Sequence, residues 1–277
     1  MTTGGTIRWT GALVALAILA ACGRGGTNID LEDTSPEGIY QQAEVQLAAG
    51  DPDDAAVLFG EVERLYPYSE WAKRGLIMQA FAYHEDRDYE NARASAQRFI
   101  DFYPADEDAA YAQYLLALSY YDQIDQVGRD QGLTFQALSS LRTVIETYPD
   151  SEYARSSILK FDLAFDHLAA KEMEIGRYYL KRGFYPSSIN RFRAVVEEFQ
   201  TTTHTPEALM RLVEAYLALG LTEEAQTAGA ILGHNFQSSP FYDDAFRQLT
   251  GRGLSPEAAG TGWLRDIYRR TIRGNWL

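Results

Sequence analysis

The amino-acid sequence predicts an all-α protein, a solenoid of about five helix pairs in two packed halves. Apolar residues recur three and four positions apart from Ile39 almost to the C-terminus, which is the period of a helix that buries one face. Few segments show the strict alternation of a half-buried strand. Segments of similar sequence also recur along the chain, as expected when each repeat packs on the next.

The recurring segments share a turn, a helix and an aromatic end. GDPDDAAVLFGEVERLYPYS aligns with RDYENARASAQRFIDFYPAD and TFQALSSLRTVIETYPDS, and GFYPSSINRFRAVVEEFQTT and GLTEEAQTAGAILGHNFQSS follow the same plan. The turn falls on Gly50, Arg87, Gly183 and Gly220, so the first two and the last two turns are each 37 residues apart. A small residue follows at Ala55, Ala92, Ala137 and Ala225, and a large one at Phe59, Leu141 and Phe192. Tyr-Pro closes three units, at Tyr66, Tyr103 and Tyr148.

This pattern resembles the tetratricopeptide repeat, a unit of about 34 residues with Gly at its turn, Ala and aromatic residues on its second helix and Pro at its end. The alanine lets paired helices approach closely, the aromatic residue fills the gap between repeats, and proline stops the helix. Five such units cover residues 36 to about 240, although Gln200 and Gln237 replace the closing proline in the last two.

The helix starts and the connections follow in order. TSPEG, HTPEA and LSPEA each predict a Ser or Thr N-cap before a proline at the first helical position. The third unit carries the insertion DQIDQVGRDQGL between its helices. After it, SEYARSSILKFDLAFDHLAAKEMEIGRYYLKRG is free of proline, and we expect one continuous helix at the joint between the two halves.

The predicted organisation has five parts. Residues 1–21 form a signal peptide, 22–35 a lipidated tether, 36–150 repeats 1–3, 151–250 repeats 4–5 with the long connecting helix, and 251–277 a basic amphipathic extension. In that extension one predicted face holds Trp263, Leu264, Ile267, Tyr268 and Ile272, and the other holds Arg265, Arg269, Arg270 and Arg273. The extension could pack on the acidic solenoid, bind anionic lipid or meet a partner, and packing on the solenoid is the default expectation.

Cys22 is the only cysteine and ends an apolar run that is typical of a signal peptide. A single cysteine closes no intrachain disulfide and is too few for a zinc site. The sequence LAAC resembles the bacterial lipobox, which implies that Cys22 carries a diacylglycerol and an N-acyl chain. An ordinary signal peptide is the alternative. Because Gly23 stands where an aspartate would resemble an inner-membrane retention signal, the resemblance favours the periplasmic face of the outer membrane.

Charge and motifs argue against nucleic-acid binding and catalysis. The formal net charge is −14, whereas phosphate binding needs a cationic surface. The four histidines are scattered without a metal-binding pattern, and no Walker loop, GxSxG elbow or HExxH motif occurs. Acidic pairs could suggest a glycan hydrolase, but an acidic chain contains such pairs by chance. We therefore expect no metal, no cofactor and a binding function on a concave surface.

Several stretches resemble the BamD family of outer-membrane assembly lipoproteins. They are EGIYQQAEVQLAAGD, RLYPYSEWAKR, RFIDFYPADEDAAYAQYLLAL and AAKEMEIGRYYLKRGFYPSSINRF, and the likeness extends from residue 19 to about 240. The last stretch is the most particular, because a generic repeat does not require its YY, RG and NR spacing. The extension after about residue 251 departs from the family pattern.

The resemblance implies a non-catalytic scaffold of the β-barrel assembly machine. Its implied partners are the periplasmic domain of the barrel component BamA, other lipoproteins of the machine and unfolded outer-membrane proteins. Arg191 is the candidate for partner binding, with Arg182 and Tyr185 as weaker ones, and Tyr66 is the candidate for substrate binding. Each residue also has a purely structural alternative. Arg191 could form an ion pair with Glu197, Glu198 or another acid, and Tyr66 could pack at a helix end. A generic periplasmic repeat lipoprotein that scaffolds a cell-wall or other envelope complex is the alternative function.

Overall fold

The computed structural model describes residues 31–277, and every regular element in that range is a helix. A short 3-10 helix, Leu31–Asp33, precedes twelve α-helices. They are α1 Pro36–Ala49, α2 Pro52–Leu65, α3 Glu70–Glu85, α4 Tyr89–Phe102, α5 Ala109–Tyr121, α6 Gly132–Thr147, α7 Glu152–Lys181, α8 Tyr185–Glu198, α9 Thr205–Leu219, α10 Thr222–Asn235, α11 Pro240–Thr250 and α12 Trp263–Ile272.

The first ten helices form five pairs, and each helix packs on the next one along the chain. The first helices of adjacent repeats also contact each other: α1 contacts α3, α3 contacts α5, and α5 contacts α7. This nearest-neighbour packing is the architecture of a solenoid. The predicted all-α tetratricopeptide-like fold is confirmed.

The turn residues have the backbone conformation that the repeat pattern predicts. Gly50, Gly183 and Gly220 have φ values of 84°, 76° and 74°, in the left-handed region that glycine adopts without strain. Arg87 occupies the matching turn in the second repeat with a φ of 64°, and it is the one non-glycine residue with a positive φ in residues 31–277. The repeat geometry therefore overrides the intrinsic preference of this residue.

The small and large helix positions are core positions, as predicted. Ala55, Ala92, Ala137 and Ala225 are completely buried, and so are Phe59, Leu141 and Phe192. Close approach is also evident at Gly176 of α7, where a Cβ atom would lie 2.4 Å from Cε1 of Phe192. The Phe192 ring thus packs directly on the backbone of the neighbouring helix.

All five second helices end at an aromatic residue. The closing Tyr-Pro pairs place Tyr66, Tyr103 and Tyr148 at the C-caps of α2, α4 and α6, as predicted. Where glutamine replaces proline, Phe199 and Phe236 occupy the C-caps of α8 and α10. The helix end therefore does not require the proline.

One of the three predicted N-caps is confirmed. The Ser35 hydroxyl accepts a hydrogen bond from the Gly38 N–H, as predicted for TSPEG. The prediction for HTPEA is wrong at the cap, because His204 is the N-cap of α9 and Thr205 is its first helical residue. The Thr205 hydroxyl instead donates to the Phe199 carbonyl at 3.1 Å, across the preceding turn.

The helix predicted to start at LSPEA is absent, since residues 254–262 form an extended strap across α10. The Gln226 side chain donates to the Ser255 carbonyl at 2.9 Å, and the Ala259 N–H donates to the Thr227 hydroxyl at 3.0 Å. Pro256 packs against the backbone of Gly229. These contacts satisfy polar groups of the strap that a helix would have satisfied internally, so tertiary packing decides its conformation.

The long helix at the predicted joint is confirmed. α7 is continuous for 30 residues, and Ser151 caps its start by accepting from the Ala154 N–H. Apolar residues of α7 join those of α8 to α12 in the largest core cluster, to which Leu138 of α6 also contributes. The predicted insertion lies between α5 and α6, and the Gly128 carbonyl in it accepts from Lys171 of α7 at 2.5 Å.

The C-terminal helix packs on the solenoid, as expected by default from the sequence. Leu264, Ile267 and Trp276 are buried in the largest core cluster, and α12 contacts α10. The predicted apolar face is wrong at Ile272, which is 54% exposed, because the helix turns Thr271 inward instead. Within residues 31–277, the structure contains no helix with the length and apolar content of a membrane span.

Candidate partner-binding surfaces

A long groove runs between α6, α7 and α8. One part has a volume of about 480 Å³ and holds Arg191, and an adjoining part of about 340 Å³ holds Arg142. Phe135, Glu198 and Phe199 line both parts, so the two form one continuous depression, the α6–α8 groove. Its walls combine exposed aromatic surface with charges of both signs.

Arg191 lies in this groove and is paired with a carboxylate of the neighbouring helix. Its Nη1 donates to the two oxygens of Glu172 on α7, at 3.1 and 3.3 Å. The Arg191 side chain is 43% exposed, so part of the guanidinium remains open to solvent. Glu197 is not its partner, since that carboxylate binds Arg193 at 2.8 Å. An ion pair is therefore present at Arg191, and its exposed donors remain accessible to a second acceptor.

The adjoining part of the groove has an apolar floor. Leu138, Phe161, Phe165, Leu168 and Phe199 line it, and the Phe165 and Phe199 rings lie 4.9 Å apart. The guanidinium of Arg142 lies 5.4 Å above the Phe161 ring, a cation–π arrangement. Phe135 is 59% exposed at the boundary between the two parts. Sequence reasoning missed Arg142 and Phe135 as candidates, although their spacing of seven residues on a helix predicts a shared face.

Arg182 and Tyr185 lie outside the α6–α8 groove. Arg182 is the C-cap of α7 and its guanidinium lies 4.4 Å above the Tyr178 ring. Tyr185 begins α8, and the groove-lining residues of that helix are Ser187, Asn190, Arg191, Ala194 and Glu198, which share one face. The structure therefore separates these two residues from Arg191, although all three come from one short motif.

Tyr66 connects the end of α2 to the residues that precede α1. Its hydroxyl donates to the Thr34 carbonyl at 2.8 Å, just before α1. The ring is half-buried, so much of its surface already contacts the protein. This geometry gives Tyr66 a structural contact and leaves only part of it for a ligand.

Two grooves flank the turn that follows Tyr66. One, of about 570 Å³, is lined by Tyr68, Lys73, Arg74 and Tyr103, and the other, of about 440 Å³, by Arg64, Tyr83 and Arg98. Pro67 lines both, so it separates them as a ridge. Tyr68 is fully exposed, at 101% of its reference area. Sequence reasoning missed it, although its place after Pro67, outside both helices, could have indicated an exposed ring.

The charges near Tyr68 are organised by one ion pair. Lys73 donates to the Asp106 carboxylate at 2.7 Å. This hydrogen bond lowers the pKa of Asp106 and raises that of Lys73. Arg74 stacks over Trp71 at 5.2 Å and has no carboxylate partner among the described residues. An extended chain with apolar and acidic residues would thus meet aromatic surface and a free cation here.

The chemistry of both surfaces is that of recognition. In the part of the chain that the structure describes, no three metal-ligating side chains are grouped together. Aromatic rings, arginines and carboxylates can hold a peptide or a protein surface without bond making. Cys22 and the predicted signal peptide lie outside the described residues.

Comparison with known proteins gives a consistent result. A family model described as YfiO, outer membrane lipoprotein, matches residues 32–231. The chain is 46% identical over 263 residues to outer membrane protein assembly factor BamD of Caulobacter vibrioides, covering 94% of this chain and 86% of that protein. It is 42% identical over 209 residues to BamD of Rickettsia prowazekii, covering 76% of this chain and 83% of the relative. The match to the BamD of Neisseria meningitidis serogroup A is 29% over 244 residues.

The family match covers all five repeats except the end of α10, and therefore includes both candidate surfaces. The strap and α12 lie beyond it. The extent of the matches and the helical repeats agree with the resemblance noted in the sequence. The chain belongs to the YfiO family of outer membrane lipoproteins, which includes BamD.

Proposed function

We propose that this protein is a lipid-anchored scaffold for the assembly of outer-membrane β-barrel proteins. The relatives are named as assembly factors for outer membrane proteins, a non-catalytic role. In this proposal the acyl chains on Cys22 hold the solenoid at the periplasmic face of the outer membrane, and binding surfaces on the repeats bring partner and substrate together. Several acyl chains suffice for durable anchoring without a membrane span.

The α6–α8 groove is the proposed docking surface for a BamA-like periplasmic domain. The observation that carries this proposal is the position of Arg191, half-exposed beside Phe135 at the junction of aromatic and charged walls. Arginine and aromatic side chains dominate the binding energy of many protein interfaces. A partner carboxylate could bind the free donors of Arg191 while apolar residues cover the adjoining floor.

The surface around Tyr68 is the proposed site for unfolded outer-membrane proteins. Its exposed ring and the nearby Arg74 can bind an extended chain with little dependence on its exact sequence. Tyr66 contributes indirectly by fixing the turn that presents Tyr68. In this proposal, substrate binds at the first two repeats, and the partner binds where the third and fourth repeats meet.

The test is affinity purification of the tagged full-length protein from detergent-solubilised envelopes, followed by mass spectrometry. We expect a large β-barrel protein with periplasmic repeats to copurify with the wild type and to be lost from Arg191→Glu. Arg177→Glu is a matched control, because Arg177 is 42% exposed and forms an ion pair with Glu207 at 2.9 Å but does not line the groove. Recovery of cell-wall enzymes instead of a barrel protein would indicate the alternative envelope scaffold.

The anchor needs its own test. Mass spectrometry of the mature protein should show that it begins at Cys22 and carries a diacylglycerol and an N-acyl chain. Cys22→Ser should prevent this modification and release the protein from the outer-membrane fraction. An unmodified mature N-terminus would contradict the anchor while leaving the groove proposals intact.

A further inference from the structure

The outward face of α12 has a fixed orientation. Leu264 and Ile267 are buried against the solenoid, and Trp276 beyond the helix end is only 4% exposed, with its ring 6.4 Å from that of Phe236. The strap is attached in turn through Thr227 and Gln226 of α10. Because both sides of the segment are held, the residues on the opposite face of α12 are presented to solvent as a defined surface.

That surface combines arginines with exposed aliphatic side chains. We define the α12 face as Arg269, Arg270, Ile272, Arg273 and Leu277. All five are exposed, and Ile272 and Leu277 are 54% and 58% exposed. Asp266, three residues earlier on α12, pairs with Arg269 at 3.2 Å. The other two arginines have no ion pair within residues 31–277.

Helix electrostatics accounts for only part of this arrangement. Cations in the last turn of a helix are stabilised by the partial negative charge of the free carbonyls. That effect explains arginines near the end of α12, but it gives no reason for the exposed Ile272 among them or for the exposed Leu277 beyond the helix. It also gives no reason for arginines without an ion pair on a chain with a net charge of −14.

We propose that the α12 face binds the anionic phospholipid surface of the membrane in which the protein is anchored. Arginines that flank exposed aliphatic residues are the pattern of an interfacial element, since the cations meet lipid phosphates and the aliphatic side chains enter the headgroup region. None of the residues of this face lines one of the grooves described above. The proposal depends on the outer-membrane location of the family and is independent of which proteins the grooves bind.

The consequence is a second attachment point at the end of the solenoid opposite the first repeat. The chain enters the described structure at Leu31, next to the first repeat, whereas α12 packs beyond the fifth. Attachment at both ends would hold the solenoid along the membrane and orient its grooves. Each arginine contributes about five-fold to binding at an anionic surface, so three should together contribute about 100-fold.

The test measures cosedimentation of the chain from Gly23 onward with lipid vesicles. This chain lacks the acylated cysteine but keeps every residue of the described core, and its helical circular dichroism and unfolding curve check the fold. We expect binding to vesicles of phosphatidylcholine and phosphatidylglycerol in equal amounts, and not to phosphatidylcholine alone. Binding should weaken as added salt shortens the screening length.

The variants identify the surface responsible. R269Q/R270Q/R273Q should reduce binding about 100-fold, and I272S/L277S should also reduce it at unchanged net charge. R87Q/R129Q/R155Q is the matched control, because it removes the same charge from exposed positions elsewhere and should bind as the wild type does. No partner protein is present, so the result is separate from the copurification test.

Three results would overturn the proposal. Equal binding to neutral and anionic vesicles would show that lipid charge is not what the protein recognises. An equal loss of binding in the control triple variant would show that net charge, and not the α12 face, determines binding. Binding of polyglutamate by the wild-type chain, without vesicle binding, would assign the α12 face to an acidic protein partner instead of lipid.

Discussion

Arg191 of α8 donates to the Glu172 carboxylate of α7 at 3.1 Å, across the floor of the α6–α8 groove. The pair joins the two helices of the fourth repeat, and both side chains are accessible from the groove. A contribution to stability and a contribution to partner binding are therefore both compatible with the geometry. Reversing the two charges separates these contributions.

For the single variant Arg191→Glu we expect a small loss of stability, below about 1 kcal/mol, because the pair is partly exposed, together with loss of the barrel partner. The double variant R191E/E172R restores the ion pair in reverse. It should recover the free energy of unfolding, measured by urea denaturation, but not the partner in copurification. If the double variant also recovers the partner, the arginine acts only through the ion pair.

Tyr66 and Tyr68 should differ in what their substitution removes. Tyr66→Phe deletes the hydrogen bond to the Thr34 carbonyl, and we expect a loss of about 1 kcal/mol in unfolding free energy with substrate binding largely kept. Tyr68→Ala removes a fully exposed ring, so stability should stay unchanged while binding of unfolded outer-membrane protein weakens. Urea denaturation and crosslinking to a denatured barrel substrate measure the two effects. If Tyr66→Phe weakens crosslinking and Tyr68→Ala does not, the substrate contact lies on Tyr66 instead.

The sequence predicted most of the fold because its strongest signals act locally. Turn glycines favour a left-handed backbone, and alanines at fixed offsets allow close helix pairing, so the residue types at Gly50 and Ala55 suffice to assign their places in the repeat. The strap was missed because its conformation depends on Thr227 and Gln226, which lie about 30 residues earlier in the chain. A local Ser-Pro-Glu signal contains no information about those partners.

The candidate site was predictable only in part for the same reason. The motif containing Arg191 drew attention to that residue, but Glu172 lies 19 residues earlier and is brought to it by the pairing of α7 with α8. Arg142 and Phe135 belong to a different repeat and join the groove only through the packing of α6 on α7. Conversely, Arg182 and Tyr185 share the motif of Arg191 but not its surface.

Gly176 should show the reverse of the usual effect of replacing a helical glycine. In an exposed helix, Gly→Ala stabilises by about 1 kcal/mol. Here the added Cβ would lie 2.4 Å from the buried Phe192 ring, and overpacking costs about 1 to 3 kcal/mol. We therefore expect Gly176→Ala to lower the unfolding free energy, as measured in urea. Gly128→Ala is the control, since its Cβ would have no atom closer than 3.8 Å.

Tyr111 should make stability fall at alkaline pH. Burial on α5, beside the Tyr153 ring at 5.2 Å, raises its pKa from 10.0 to about 12. The folded state thus holds the phenolic proton more tightly than the unfolded state. The contribution of Tyr111 to the unfolding free energy is therefore present below pH 10 and is lost as the pH rises towards 12. Because part of the ring is open to solvent, which screens the effect, the loss near pH 12 should be about 1 kcal/mol. In urea denaturation between about pH 8 and 11, the unfolding free energy of Tyr111→Phe should decline less steeply than that of the wild type, because a phenylalanine has no proton to release.

Tyr68→Phe, at a fully exposed ring, is the matched control, and its unfolding free energy should decline as that of the wild type does. An unchanged slope in Tyr111→Phe would mean that the phenol is hydrated in the folded protein, contrary to its packing between α5 and α7.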